Sequence, residues 1–295
     1  MSNYRHTEFF TSADFDLVNS KIIGKGGYST VYLCKHRRTS KEYAIKCASK
    51  FKTYKPEKYS HSSGDKADNR GNEKSQEEVT KDISDKIRQE IDIMSRLRHR
   101  NIIQLKGWFE DDQNIYLVLP YISGGDLAGF LKKGIPSKEE TVKIMTQLVS
   151  ALKYCHRKGI LHRDIKLNNI LLDENLNVKL TDFGLSAIKD EANTLFYDRV
   201  GTARYTAPEF LYKSGHNEKV DVWGLGVILF LLLTGKFPFN GSSKKNIYRR
   251  IKERRIDYEE YDLNDDERHL LNRLLCKNPK YRILLENILD AEFFN

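Results

Sequence analysis

The sequence predicts an α+β chain in two parts, strand-rich first and helix-rich second, meeting near Pro120 to Gly125. Three observations carry that expectation. Short β-branched and aromatic runs, broken by Gly and polar residues, fill residues 16–47. From Ser137 onward the apolar residues recur at helical spacing. The 295 residues are 39% hydrophobic and 31% charged, which rules out a disordered polyampholyte and leaves ample chain for a core.

The elements follow in order. Lys21-Ile22-Ile23, Thr30-Val31-Tyr32-Leu33-Cys34 and Glu42-Tyr43-Ala44-Ile45-Lys46-Cys47 read as an antiparallel meander. Residues 52–86 hold eight basic and eight acidic residues and few apolar ones, and read as a flexible insertion of zero net charge. A helix should then run through Ile87, Ile91, Met94 and Leu97, which share one face. Further strands are expected at Ile102 to Trp108 and Ile115 to Leu119, and a helix through Val142, Met145, Leu148, Val149 and Leu152 ending near Gly159. The most apolar stretch, Leu225 to Leu233, reads as a buried helix too short to cross a bilayer. A cleft between two such parts is a favoured ligand site.

Composition narrows the setting. Cys34, Cys47, Cys155 and Cys276 lie far apart, which excludes a zinc ribbon and suits free thiols in a reducing compartment. The polar N-terminus carries Arg5, His6 and Glu8 and shows no signal peptide, so a cytoplasmic location is expected, with the nucleus open as well. The net charge of +9 invites a nucleic-acid reading, to be tested by where the charge sits.

Several short motifs carry chemistry. Ile23-Gly24-Lys25-Gly26-Gly27-Tyr28-Ser29-Thr30-Val31 sits between two strands, and its glycines let a backbone approach phosphate oxygens, although glycine-rich hairpins are commonly only turns. Lys46 follows in the next strand, where a cation neutralises phosphates if they bind there and is otherwise a solvated edge charge. Further on come His162-Arg163-Asp164-Ile165-Lys166-Leu167-Asn168-Asn169 and Asp182-Phe183-Gly184. Then follow Ala207-Pro208-Glu209 and Asp221-Val222-Trp223-Gly224-Leu225-Gly226.

In that order and spacing, these motifs resemble the eukaryotic protein kinases of serine/threonine type across nearly the whole chain. The hinge and large-lobe helices are similar to calmodulin-dependent, AMP-activated and polo-like kinases. The resemblance implies a two-lobed α+β fold with the active site in the cleft. Its small lobe has five antiparallel strands and one main helix, and its large lobe is mostly helical. The boundaries expected are an N-terminal extension over 1–16 and a kinase domain over 17–294. Within that domain the small lobe spans 17–119, the hinge 120–125 and the large lobe 126–294.

The roles follow by the same resemblance. ATP and Mg2+ are implied, with the glycine-rich loop over the phosphates and Val31, Ala44 and Leu171 around the adenine. Lys46 should hold phosphates and pair with Glu90; Leu119 would sit beside the adenine, with Pro120 and Tyr121 in the hinge. Asn169 and Asp182 should hold magnesium, a hard cation that prefers oxygen. Asp164 should accept the substrate hydroxyl's proton, and Lys166 should steady the phosphoryl group. Lys166 together with Thr202 points to serine or threonine as acceptor. Leu105, Met94, His162 and Phe183 would stack through both lobes, and Glu209 with Arg282 would anchor the substrate-binding segment.

Departures from the pattern matter as well. Ser29 stands where a third glycine is frequent. Leu167-Asn168 replaces a frequent Pro-Glu and removes a carboxylate that reads substrate arginine, while Asp126 remains for the ribose or for one such arginine. Arg163 before Asp164 implies that a phosphate in the activation segment neutralises it. Counting back four from Thr202 reaches Asp198, so the expectation is that Asp198 gives partial phosphorylation-independent activity, with Thr194 or Tyr197 as alternative phosphosites. The alternative to an active enzyme is a kinase-fold scaffold, but Lys46, Glu90, Asp164, Asn169 and Asp182 are all present.

Ile288-Leu289-Asp290-Ala291-Glu292-Phe293-Phe294 resembles the end of the kinase domain, so regulation is expected from the activation segment (Asp182 to Glu209), the insertion or a separate subunit. A monomer acting on protein substrates is expected, with no nucleic-acid or membrane partner. Residues 244–255 supply six of the nine net charges: Lys244, Lys245, Arg249, Arg250, Lys252, Arg254 and Arg255 against Glu253. They mark either a solvated helix face or a dock for an acidic partner.

Overall fold

Five strands form one antiparallel sheet in the order β1-β2-β3-β5-β4: β1 (Lys21–Lys25), β2 (Ser29–Lys35), β3 (Glu42–Ser49), β4 (Gly107–Glu110) and β5 (Asn114–Pro120). In this computed structural model residues 8–26, 29–51, 76–189, 195–198, 200–212 and 215–295 are described, with backbone alone for 76–82. The chain forms two units, Met1–Arg96 with Gln104–Tyr121, and Leu97–Ile103 with Ile122–Asn295.

In the first unit, strand alternation sorts side chains onto two faces. Val31, Lys46 and Leu117 stand in one register row, Leu33, Ala44 and Leu119 in the next, all on one face. The opposite face carries Tyr43, Ile45, Tyr116 and Val118, which form a core with Phe10, Phe15 and Phe109. Phe10 and Phe15, expected in an N-terminal extension, are therefore packed into this unit's core. Phe15 stacks on Phe109 at 6.1 Å and meets Tyr43 edge-on at 5.7 Å, geometries favoured by the ring quadrupoles.

Helix α1 spans Gln76–Arg96, so residues 76–86, expected in the insertion, are helical. Few apolar residues do not prevent a helix where Gln, Glu and Lys, all good helix formers, abound. Ile83, Ile87, Ile91 and Met94 are buried along it. Residues 52–75 lie outside the described residues, and with them Ser60, Ser62 and Ser63.

The expected strand at Ile102 to Trp108 is only partly present. Pairing with β5 begins at Gly107, while Ile102 and Ile103 belong to the second unit. There Ile103 N–H donates to the Leu180 carbonyl at 2.9 Å, and the Asn101 amide joins Gln147 at 2.7 Å. These partners outcompete the sheet edge, a tertiary preference that local β-propensity does not contain.

The second unit is built on α2 (Leu127–Leu131), α3 (Lys138–Arg157), α4 (Lys219–Thr234), α5 (Lys244–Glu253) and α6 (Asp265–Leu274). Short strands β6 (Ile160–Leu161) with β9 (Ala187–Ile188), and β7 (Ile170–Leu172) with β8 (Val178–Leu180), form two hairpin-like pairs. Ser137 caps α3 in a reciprocal capping box with Glu140. α4 is buried on nearly every side, as its uniformly apolar sequence requires, and packs on α3 and α6. No helix among the described residues is long and apolar enough to cross a membrane.

Candidate active site

The loop from His162 to Asn169 in the second unit starts from a strained backbone. Arg163 has φ +66°, a left-handed conformation that costs a non-glycine residue energy. Asp221, in the first turn of α4, holds it there: its carboxylate accepts the N–H of Arg163 at 2.8 Å and of His162 at 2.9 Å, and contacts His156 Nε2 at 2.8 Å. Burial pushes the Asp221 carboxyl up, but the His156 hydrogen bond and the nearby histidines outweigh it, leaving it below the ordinary carboxylate range. In the sequence Asp221 stands out only as part of the Asp221-to-Gly226 motif. A lone carboxylate at the start of an otherwise apolar helix was the signal for its role.

With the backbone fixed, the side chains converge on Asp164. Lys166 Nζ lies 2.5 Å from Oδ2, the Asn169 amide donates to the same oxygen at 3.1 Å, and the Thr202 hydroxyl donates to Oδ1 at 3.1 Å. Asp164 is buried, so these donors replace water around its carboxylate and fix its direction.

Asn169 immediately precedes β7, and Asp182 lies just beyond β8. The pairing of Ile170 with Leu180, and the Thr181 N–H to Asn169 carbonyl bond at 2.9 Å, bring both to one end of the hairpin. The Asn169 amide nitrogen is spent on Asp164, which leaves its oxygen as the ligand-capable atom. One carboxylate and one amide oxygen, with no cluster of three or more His, Cys, Asp or Glu among the described residues, suit Mg2+ that takes its remaining ligands from phosphates and water. Asp182 also has positive φ, +64°, and Phe183 after it packs on His162 at 4.9 Å.

The first unit holds its own part. Lys46 Nζ reaches Glu90 at 2.6 Å, both side chains largely buried, so the expected pair is formed. Val31 flanks Lys46 across the β2–β3 ladder, with Ala44 and Leu119 paired in the next row on that face. Thr30 does not join them: it shares a row with Cys47 and Tyr116 on the opposite face. The ladder slips between Ile22 and Gly24, at Ile23, and Gly26 N–H donates to Ser29 at 2.8 Å to close the turn beside Lys25. Gly27 and Tyr28 lie outside the described residues.

Tyr121, half-buried, ends the first unit, and Gly124 and Gly125 open the second. A Cβ on Gly124 would stand 2.4 Å from the Leu172 carbonyl, so that approach needs glycine. Asp126 bridges to Leu171 and caps α2. Its Oδ1 accepts Gly129 N–H at 2.7 Å and its Oδ2 the Asn168 amide at 2.8 Å, a tie absent from the sequence reading.

The activation segment carries two arginine–carboxylate contacts. Arg163 meets Asp198 at 2.6 Å, gives its Nε–H to the Leu185 carbonyl, and lies over the Phe196 ring at 5.4 Å. Phe196 and His216 exchange backbone hydrogen bonds at 2.9 and 2.8 Å, which sets Asp198 beside Arg163. Tyr197 is exposed; Thr194 lies outside the described residues. Arg282 forms the expected bidentate pair with Glu209, at 2.6 and 2.9 Å.

Comparison with known proteins agrees with this arrangement. The protein kinase domain family model matches residues 17–294. CBL-interacting protein kinase 2 of Oryza sativa subsp. japonica is 34% identical over 93% of this chain and 57% of its own length. CBL-interacting serine/threonine-protein kinase 12 of Arabidopsis thaliana is 35% identical over 93% of this chain and 51% of its own. Aurora kinase of Dictyostelium discoideum is 32% identical over 94% and 65%. The chain spans about half to two thirds of the length of these curated relatives.

Proposed function

This chain belongs to the protein kinase family, and from that premise we propose that it transfers the γ-phosphoryl group of ATP to serine or threonine hydroxyls of protein substrates. The observation that carries the reading is the arrangement around Asp164: a buried carboxylate oriented by Lys166, Asn169 and Thr202. Asp164 accepts the proton of the attacking hydroxyl. Lys166, next to it, stabilises charge on the transferred group, and Lys46, aligned by Glu90, pairs with the other phosphates. Mg2+ held by Asn169 and Asp182 would neutralise phosphate charge. Such a site works by positioning and electrostatics, so single groups matter greatly. Asp164→Asn should lower the transfer rate by roughly three orders of magnitude or more in a radiolabelled ATP assay. A rate within tenfold of wild type would overturn the assignment. None of the phosphoryl-transfer residues is replaced, so nothing favours the scaffold alternative.

Regulation follows from the Arg163–Asp198 contact. We read Asp198 as a weaker stand-in for a phosphate, giving partial activity without phosphorylation, with Thr194 or Tyr197 as further phosphosites. A carboxylate carries one charge against about −1.5 to −2 for phosphate, so the support is partial. The four cysteines, none in a disulfide, suit a reducing compartment, cytoplasmic or nuclear, and a monomer is the working state. The basic run at 244–255 supports an acidic docking partner.

A further inference from the structure

α5 is built against the electrical preference of a helix. Ser243 caps it by accepting Asn246 N–H at 3.2 Å, but its first turn carries Lys244 and Lys245 and no acidic residue. The N-terminal turn already bears partial positive charge from its unpaired N–H groups. α3 and α6 obey the rule, opening on Glu139 and Glu140, and on Asp265, Asp266 and Glu267.

Five of the cations in this run lack an ionic partner among the described residues. Lys245, Arg249, Arg250, Arg254 and Arg255 are all exposed, and none has an ion pair with a described residue. Arginines elsewhere on the surface do find partners: Arg88 with Glu110 at 2.9 Å, Arg96 with Asp92 at 2.6 Å, Arg268 with Glu259 at 2.7 Å. Acidic residues follow α5 directly in sequence, yet Glu259 serves Arg268, and Asp257 caps the next turn. Within the described chain, this charge has no counterpart.

Its place in the second unit gives it a use. α5 buries Ile247 and Ile251 and packs on the short helices Ala203–Tyr205 and Pro208–Leu211. The first of these begins directly after Thr202, whose hydroxyl donates to Asp164. Arg204 on that helix is exposed, with its guanidinium over Phe237 at 4.8 Å. The α5 cations thus stand on an element that packs against the segment leading from Thr202. At the start of α2, the Asp126 carboxylate accepts from Gly129 N–H and the Asn168 amide, so part of its acceptor capacity is spent within the chain.

We propose that α5, with Arg254 and Arg255, docks an acidic segment of the protein substrate, so that this enzyme selects serine and threonine sites in Asp/Glu-rich proteins. The proposal rests on the kinase reading above. A helix of 10 residues is about 15 Å long, which an extended run of roughly four or five acidic residues would cover.

Two measurements separate this proposal from the reading beneath it. Binding of a fluorescein-labelled peptide with five consecutive Asp/Glu residues is followed by anisotropy on the full chain, with no catalysis involved. The Arg249→Glu/Arg250→Glu variant should bind about tenfold more weakly, and added salt should weaken wild-type binding. In phosphotransfer, the same variant should raise KM for casein about tenfold with kcat unchanged, and leave KM for myelin basic protein unchanged or lower. Arg249→Ala/Arg250→Ala should give smaller shifts of the same sign. Equal peptide binding by wild type and variant overturns the dock, as does equal loss on both protein acceptors. An oligonucleotide or a phosphatidylserine vesicle that binds more tightly through the same arginines overturns the choice of a protein partner. If peptide binds as expected but wild type transfers no phosphate to either acceptor, the kinase reading fails instead.

Discussion

Arg282–Glu209 and Arg163–Asp198 share a chemistry and a closest distance of 2.6 Å, yet the structure uses them differently. The Arg282 and Glu209 side chains are 0% and 4% exposed, joined by two parallel bonds, with further bonds from Arg282 to the Cys276 and Lys219 carbonyls and its guanidinium over Trp223. Asp198 is 51% exposed, and among the described residues its ion pair is with Arg163 alone. In the first pair neither charge has water to return to if its partner leaves. In the second, Asp198 can return to water, while Arg163, 7% exposed, keeps the Leu185 carbonyl and the Phe196 ring when the carboxylate leaves. Distance alone therefore does not rank these interactions; burial and the number of partners do. The buried pair suits an anchor, and the half-exposed pair suits a switch.

Breaking the anchor should have the largest effect. Glu209→Gln leaves Arg282 buried without its counter-charge and should cost about 3–5 kcal/mol in urea unfolding. A loss under 1 kcal/mol would remove the contrast. Replacing both partners together, with Arg282→Met and Glu209→Leu, should recover much of that loss, because no uncompensated charge remains.

His216 lies between the two regions, its ring 4.2 Å from Phe210 and 5.9 Å from Phe196. Burial, then the Arg163 charge, lowers its pKa from 6.5 to about 4, against opposing pulls from Asp198, Glu209 and Asp221. Because the folded value lies below the unfolded one, its contribution is intact above pH 6.5 and lost as pH falls towards 4. The shift corresponds to roughly 3 kcal/mol. His216→Phe keeps the ring packing and should flatten this part of the pH–stability curve. Identical slopes for the two proteins between pH 6.5 and 4 would refute it.

The smallest stability effect belongs to Asp198. Asp198→Ala should change unfolding free energy by less than about 1 kcal/mol, while phosphatase-treated enzyme should lose several-fold in kcat. Equal activity of the treated wild type and variant would mean that Asp198 is only a solvated loop residue.

Much of this was legible in the chain. Strand alternation placed β1, β2, β3 and β5 within a few residues, Ser137 announced α3, and the ordered motifs identified Lys46, Glu90, Asp164, Asn169 and Asp182. The misreadings share one origin. Ile102 and Ile103 look like strand residues but are taken by Leu180, far along the sequence. Residues 76–86 look like linker by composition but continue α1.

The sequence by itself determined the fold class and the family and pointed to the proposed catalytic groups, because those depend on local periodicity and on residue types in ordered motifs. Tertiary structure alone decided which charges are spent and which remain available. Arg282, Arg163 and Arg249 are equivalent letters in the chain. One is buried in a bidentate pair, one is held by an exposed aspartate, and one faces solvent without an ionic partner. Electrostatic energy depends on burial and on distance between residues remote in sequence, and neither is written in the order of the residues.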